Sequence, residues 1–214
     1  MRQADRNFVF AAVADERRRL ASLLEDLDAA QWATPSLCKG WDVKTVAAHV
    51  VSTVEDGTPA FLWHGVRRGS MARAIDELAR RRARLPATEI VADLNRCAGR
   101  PISPPLFGPL DPLADVLVHG GDVRIPLGQP FRPDPQLAAL AMDFLTGPWP
   151  FGFVPLGRLR GISMRADDIG RAWGTGAEIR GPVAALMMAM SGRTAFLRQL
   201  DGPGLPELRR RISG

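Results

Sequence analysis

Asp42-Val43-Lys44-Thr45-Val46-Ala47-Ala48-His49-Val50-Val51-Ser52-Thr53-Val54 carries both a helix-start signal and a core face. Asp42 is a good N-cap, because a short carboxylate accepts hydrogen bonds from backbone N–H groups that the first helical turn leaves unpaired. Val43, Val46, Ala47, Val50, Val51 and Val54 recur at helical spacing and form one apolar stripe. The stretch predicts a second helix from Val43 to about Val66. It follows a first helix whose apolar positions are Val13, Leu20, Leu23, Leu24 and Leu27, with Arg17, Arg18, Glu25 and Asp28 assigned elsewhere around the cylinder.

Outward from that helix the pattern stays helical. Residues 71–98 place Ile75, Leu78, Leu85, Ile90, Leu94 and Cys97 on apolar faces, with a break or kink at Pro86, which removes a backbone donor. Residues 100–112, rich in Pro and Gly, read as a crossing loop, and another helix runs from about Asp111 to Gly120 or slightly beyond. Helical segments with apolar faces and few strand signals predict a four-helix bundle. After Pro126 the texture changes. Asp134 caps a helix through Phe144, and residues 147–152 form a Gly/Pro linker. A strand follows over Leu159–Ala166, then a strand pair near Arg171–Trp173 and Ala177–Arg180, turned by Gly174-Thr175-Gly176. Gly181-Pro182 opens a further helix, and a short basic helix ends the chain. The expected fold class is mostly α: a bundle over residues 1–150, then a small α+β domain over 151–214.

Composition narrows the function classes. The 214 residues are 46% hydrophobic, and the longest apolar stretch near the start, Phe8–Ala14, is too short to span a bilayer. Asp15-Glu16 and an Arg triplet follow it at once, unlike a secretory leader, so the expectation is a cytoplasmic protein with no membrane partner. Cys38 and Cys97 match no zinc-ligand spacing and are expected as free thiols. The net charge of +5 raises nucleic-acid binding. The arginine clusters (17–19, 80–84 and 209–211) lie far apart, however, and no recognition motif accompanies them, so no nucleic-acid partner is expected.

The three histidines stand at 49, 64 and 119. Asp115 precedes His119 by four residues, so both side chains leave one face of one helix, a turn apart. Val43, Val46, Ala47 and Ala48 precede His49 at the same offsets at which Leu113, Val116, Leu117 and Val118 precede His119. Each histidine therefore occupies the same flank of its apolar stripe. If both stripes face one core, two imidazoles and the Asp115 carboxylate converge at its rim, the donor set of a catalytic zinc or open iron site. The same spacing also fits an intrahelical Asp–His ion pair beside a structural histidine. Asp122 is read as pointing to another face, where it supports the site or clamps the turn at Arg124. His64, beside Trp63, is read as exposed or half-buried, and Trp41 and Trp149 as packing residues.

The run Pro35-Ser36-Leu37-Cys38-Lys39-Gly40-Trp41-Asp42-Val43 through Ala48-His49-Val50 resembles the start of the second helix in the mycothiol-dependent maleylpyruvate isomerase family, a DinB-like group of actinobacteria. The segment from His119 through Asp122, Arg124 and Pro126 to Gly128 resembles that family's second histidine motif. The run from Gly161 through Ala166-Asp167 and Gly181-Pro182 to Ser191-Gly192-Arg193 resembles its small second domain. The resemblance implies a DinB-like bundle and a divalent metal, zinc first, held by His49, Asp115 and His119. The family's carboxylate is commonly Glu, so Asp115 is a departure that shortens the reach by one methylene.

The resemblance further implies mycothiol as cofactor, with the metal lowering the thiol pKa. The thiolate adds to an electrophilic double bond, rotation follows, and elimination returns the thiol; transfer to another electrophile fits the motifs equally. Arg193 resembles an arginine that clamps a substrate carboxylate, while its position also fits a cation near a helix C-terminus. The expected partners are a small-molecule thiol and an electrophilic substrate, and the expected state is a monomer. The alternative is a noncatalytic metal- or ligand-binding protein that keeps the scaffold.

Overall fold

The computed structural model describes residues 5–57, 63, 67, 69–103, 108–148, 150 and 152–213. The helix expected from Val43 to about Val66 ends at Glu55, with Asp56 at its C-cap and Gly57 at φ +69° just beyond, while His64, Val66 and Trp149 lie outside the described residues. The chain forms two compact units, residues 1–130 and 131–214. Among the described residues no helix is long and apolar enough to cross a membrane.

In the first unit the described helices include α1 (Arg6–Glu25), α2 (Ala29–Trp32), α3 (Val43–Glu55), α4 (Met71–Arg82), α5 (Ala87–Cys97) and α6 (Leu110–Arg124). Their starts follow from local chemistry. The Asp42 carboxylate accepts from Thr45 N at 2.7 Å and from Thr45 Oγ1 at 2.6 Å, and Ser70 accepts from Arg73 N. Pro86 ends the 71–98 pattern as expected and stands at the N-cap of α5. Pro112 is tolerated because it falls in the first turn of α6, where no intrahelical donor is needed. That helix runs through Gly120-Gly121 to Arg124.

Helices α5 and α6 each pack on both α1 and α3, which closes a four-helix bundle, and α4 packs on the outside of α3. The core joins Leu20 and Leu24 of α1 to Val46, Val50 and Val54 of α3 and to Ile90, Leu94 and Cys97 of α5. These apolar side chains drive the packing. The loop before α3 is tied down as well: Ser36 N donates to Trp41 O at 2.9 Å, and Leu37 N donates to Asp122 O of α6 at 3.3 Å.

The second unit holds α7 (Pro135–Leu145), β1 (Ile162–Ala166), β2 (Arg171–Gly174), β3 (Ala177–Gly181), α8 (Val183–Met190), a 3₁₀ turn (Leu197–Gln199) and α9 (Leu205–Ser213). Helix α7 starts at Asp134 as expected and packs on α8, N-terminal to the Gly/Pro linker. The strand order is β2-β1-β3, with β2 antiparallel and β3 parallel to β1. This corrects the expected hairpin between the last two strands, because β1 lies between them. The Gly174-Thr175-Gly176 segment crosses the end of β1 instead of folding back. A Cβ at Gly176, whose φ is +128°, would stand 2.1 Å from Gly161 O, a passage open only to glycine. Asp143 of α7 secures β2, accepting from Trp173 Nε1 at 2.7 Å and Arg171 Nη2 at 2.5 Å.

Candidate metal centre

The capped start of α3 sets the rotation of that helix and places His49 beside the buried stripe. Helix α6 presents Asp115 and His119 one turn apart on the same face. All three side chains are buried, at 5%, 8% and 5% exposure, deep enough that an unpaired charge there is costly. His49 Nε2 lies 3.4 Å and His119 Nε2 lies 3.6 Å from Asp115 Oδ1. One donor atom from each residue falls within a cluster no wider than 4.8 Å. Tetrahedral zinc with bonds of roughly 2.0–2.1 Å holds its donors about 3.4 Å apart, so the two separations from Asp115 Oδ1 are already close to those an ion would set.

The protonation directions suit it too. Burial lowers the pKa of His49, against the opposing pull of Asp115, and so favours the neutral imidazole that binds metal. Burial pushes the Asp115 carboxyl up, but the His49 hydrogen bond and the neighbouring His119, His49 and Arg17 outweigh it and hold the group below its ordinary value. Behind the site, Asp122 Oδ2 lies 3.0 Å from His119 Nδ1. A carboxylate there favours the proton on Nδ1 and turns the Nε2 lone pair toward Asp115. His49 Nδ1, by contrast, is buried with no hydrogen-bond partner.

Trp41 forms one wall. Its ring centroid lies 5.1 Å from that of His49 and 6.3 Å from that of His119, and the two imidazoles meet edge-on at 4.8 Å. The Trp41 indole N–H donates to Asp76 Oδ1 at 2.7 Å, which fixes the ring.

The structure thus brings His49, Asp115 and His119 together. Arg193 lies in the second unit, where its Nη1 donates to Ser191 O at 2.6 Å. Three further groups belong to the surroundings of the first-unit site. Asp122 faces His119 rather than another side of the helix. Arg17, assigned to the outer face of α1, is 1% exposed and donates from Nη1 to Ala98 O and Arg100 O, each at 3.3 Å. Burial lowers its pKa and the Asp115 charge counters that effect. Its place was readable in sequence: 13, 17, 20 and 24 are one helical stripe, with an arginine at a core position. Asp111 stands one turn before Asp115, and burial, then the Asp115 charge, pushes its carboxyl up to about 7.

Residues 13–101 match the family described as the mycothiol maleylpyruvate isomerase N-terminal domain. Two solved structures are similar over most of the chain. One is the crystal structure of the mycothiol-dependent maleylpyruvate isomerase, with 15% identity and a TM-score of 0.57 over 92% of this chain and 91% of that one. The other is a histidine-to-alanine mutant of such an enzyme, with 16% identity and a TM-score of 0.58 over 92% and 91%. No curated protein sequence matches the chain. The fold is DinB-like and related to that of the mycothiol-dependent maleylpyruvate isomerase, and at this identity the likeness speaks to the fold alone.

Proposed function

We propose that this chain is a metal-dependent enzyme that uses a low-molecular-weight thiol of the mycothiol type on a small electrophile, as an isomerase or thiol transferase. The observation that carries the reading is the convergence of His49 Nε2, Asp115 Oδ1 and His119 Nε2 in a buried cluster with one donor from each residue. These three side chains would hold a divalent ion, zinc first, and an ion bound there would supply the Lewis acidity that favours a thiolate at neutral pH. Asp115 would offset one of the ion's two positive charges, and the shorter Asp still places its Oδ1 3.4 Å and 3.6 Å from the two imidazole Nε2 atoms. Asp122 keeps the His119 proton on Nδ1. Trp41 shields the imidazoles on one side, which strengthens the electrostatics within the site. Arg193 is the group proposed to hold an anionic part of the substrate.

An external thiol fits the cysteine inventory. Burial pushes the Cys97 thiol pKa up, which makes it a poor nucleophile, and Cys38 lies in the loop before α3. The test is elemental analysis of untagged protein followed by titration of the metal-loaded form with mycothiol. Near-stoichiometric divalent metal and metal-dependent thiol binding are expected. Failure to take up any divalent metal would overturn the reading, while metal without thiol binding would favour a noncatalytic metal-binding protein.

A further inference from the structure

Each histidine of the candidate centre has a buried polar side chain three residues further along its own helix. Asp122 follows His119 on α6, and Ser52 follows His49 on α3. Residues three apart on a helix are neighbours on its surface. On α6 the pair is closed, with Asp122 Oδ2 3.0 Å from His119 Nδ1. On α3 it is open. His49 Nδ1 and Ser52 Oγ are both buried, and neither has a hydrogen-bond partner. Ser52 is 0% exposed, so water outside the fold does not serve its hydroxyl.

A serine inside a helix ordinarily returns its hydroxyl to a backbone carbonyl of the preceding turn. The adjacent Thr53 does this, donating from Oγ1 to Val50 O at 2.9 Å. Ser52 does not, although an unmade hydrogen bond is costly at such a position. A hydroxyl is also a suitable partner for His49, because it both donates and accepts. In the structure His49 Nε2 faces Asp115 Oδ1 at 3.4 Å, where a ring proton on Nε2 suits the carboxylate and leaves Nδ1 a lone pair. A metal ion at Nε2 would require the proton on Nδ1 instead. That buried atom then becomes a donor in need of an acceptor.

We infer that Ser52 is a positioning residue for the metal ligand His49: its hydroxyl accepts from Nδ1–H, directly or across one enclosed water, and holds the Nε2 lone pair toward the ion. The inference rests on the proposed metal site and gives Ser52 the part that Asp122 plays for His119. A neutral hydroxyl fills that part without adding a third carboxylate to a buried cluster that already holds Asp115 and Asp122.

The test measures zinc affinity of the untagged full chain by competition with a chromophoric chelator, beside thermal unfolding of the metal-free protein. Ser52→Ala is expected to weaken zinc about tenfold, the lower end of what losing such a partner costs. The Tm of the metal-free variant is expected to be no lower than wild type, since the change deletes an unpartnered polar atom and brings in a better helix former. Ser52→Thr and Ser52→Val have nearly the same shape and differ in the hydroxyl. The Thr variant is expected to bind zinc about tenfold more tightly than the Val variant, even if the added methyl disturbs both. In nitrogen NMR spectra of the zinc-loaded protein, the His49 Nδ1 resonance is expected to move in Ser52→Ala while that of His119 stays in place. Equal zinc affinity in Ser52→Ala and wild type, equal affinity in the Thr and Val variants, or an unmoved His49 Nδ1 resonance would each overturn the inference and leave the metal centre standing. Failure of the wild-type chain to take up zinc or any other divalent metal would overturn the metal centre, and the role of Ser52 with it.

Discussion

The Asp122 carboxylate, fully buried on α6, lies 3.0 Å from Nδ1 of His119, whose Nε2 faces Asp115 Oδ1 at 3.6 Å. One carboxylate therefore backs the imidazole while another shares its front. With a metal ion at Nε2, this arrangement would orient the imidazole toward it.

Asp122→Asn removes the charge behind His119 and keeps the shape. Zinc affinity is expected to fall about 10–100-fold with the fold intact, measured by competition with a chromophoric chelator. Unchanged affinity would show that Asp122 has no part in presenting the ligand.

Arg17→Met takes a buried cation from beside Asp115 and leaves the Ala98 and Arg100 carbonyls without their donor. Urea unfolding of the metal-free protein is expected to show a loss of about 1–3 kcal/mol. Added zinc is expected to stabilise this variant more than the wild type, because the ion replaces the lost positive charge. An equal response in both proteins would remove Arg17 from the electrostatics of the site.

Asp111 has a folded-state pKa of about 7 against an ordinary value of 3.8. A raised carboxyl pKa means that the folded state binds the proton more tightly than the unfolded state, so stability is lost as pH rises from about 4 to 7. Asp111→Asn is expected to raise the Tm of metal-free protein at pH 8 and to leave it nearly unchanged near pH 4. A pH-independent difference would contradict this assignment.

Gly176→Ala places a methyl 2.1 Å from Gly161 O where the chain crosses the end of β1. A loss of about 1–3 kcal/mol is expected from backbone strain alone, with further loss from the clash, measured by thermal unfolding. A neutral substitution would argue for the hairpin topology that the structure replaces.

Much of this architecture was legible residue by residue. The Asp42 cap, the Val43–Val54 stripe, the break at Pro86 and the Asp134 cap are interactions over a few positions, so spacing alone exposes them. The Asp115–His119 pair was legible for the same reason, as was the offset that gives His49 and His119 equivalent places on their helices. Arg17 departs from expectation because a charge usually marks an outward face, whereas its position lies on the apolar stripe and its side chain is buried.

What sequence alone determined about this protein is therefore the local content: which segments are helical or extended, where they start and stop, and which face of each carries apolar or donor side chains. Tertiary structure decided what those faces meet. The 66-residue separation of His49 and Asp115 holds no local signal that α3 and α6 pack together; burial of both stripes against α1 and α5 does that. Likewise β1 separates β2 from β3 through long-range backbone hydrogen bonds, which strand propensity cannot rank. Spacing reports geometry within an element, while contacts between elements are selected by the free energy of packing the whole chain.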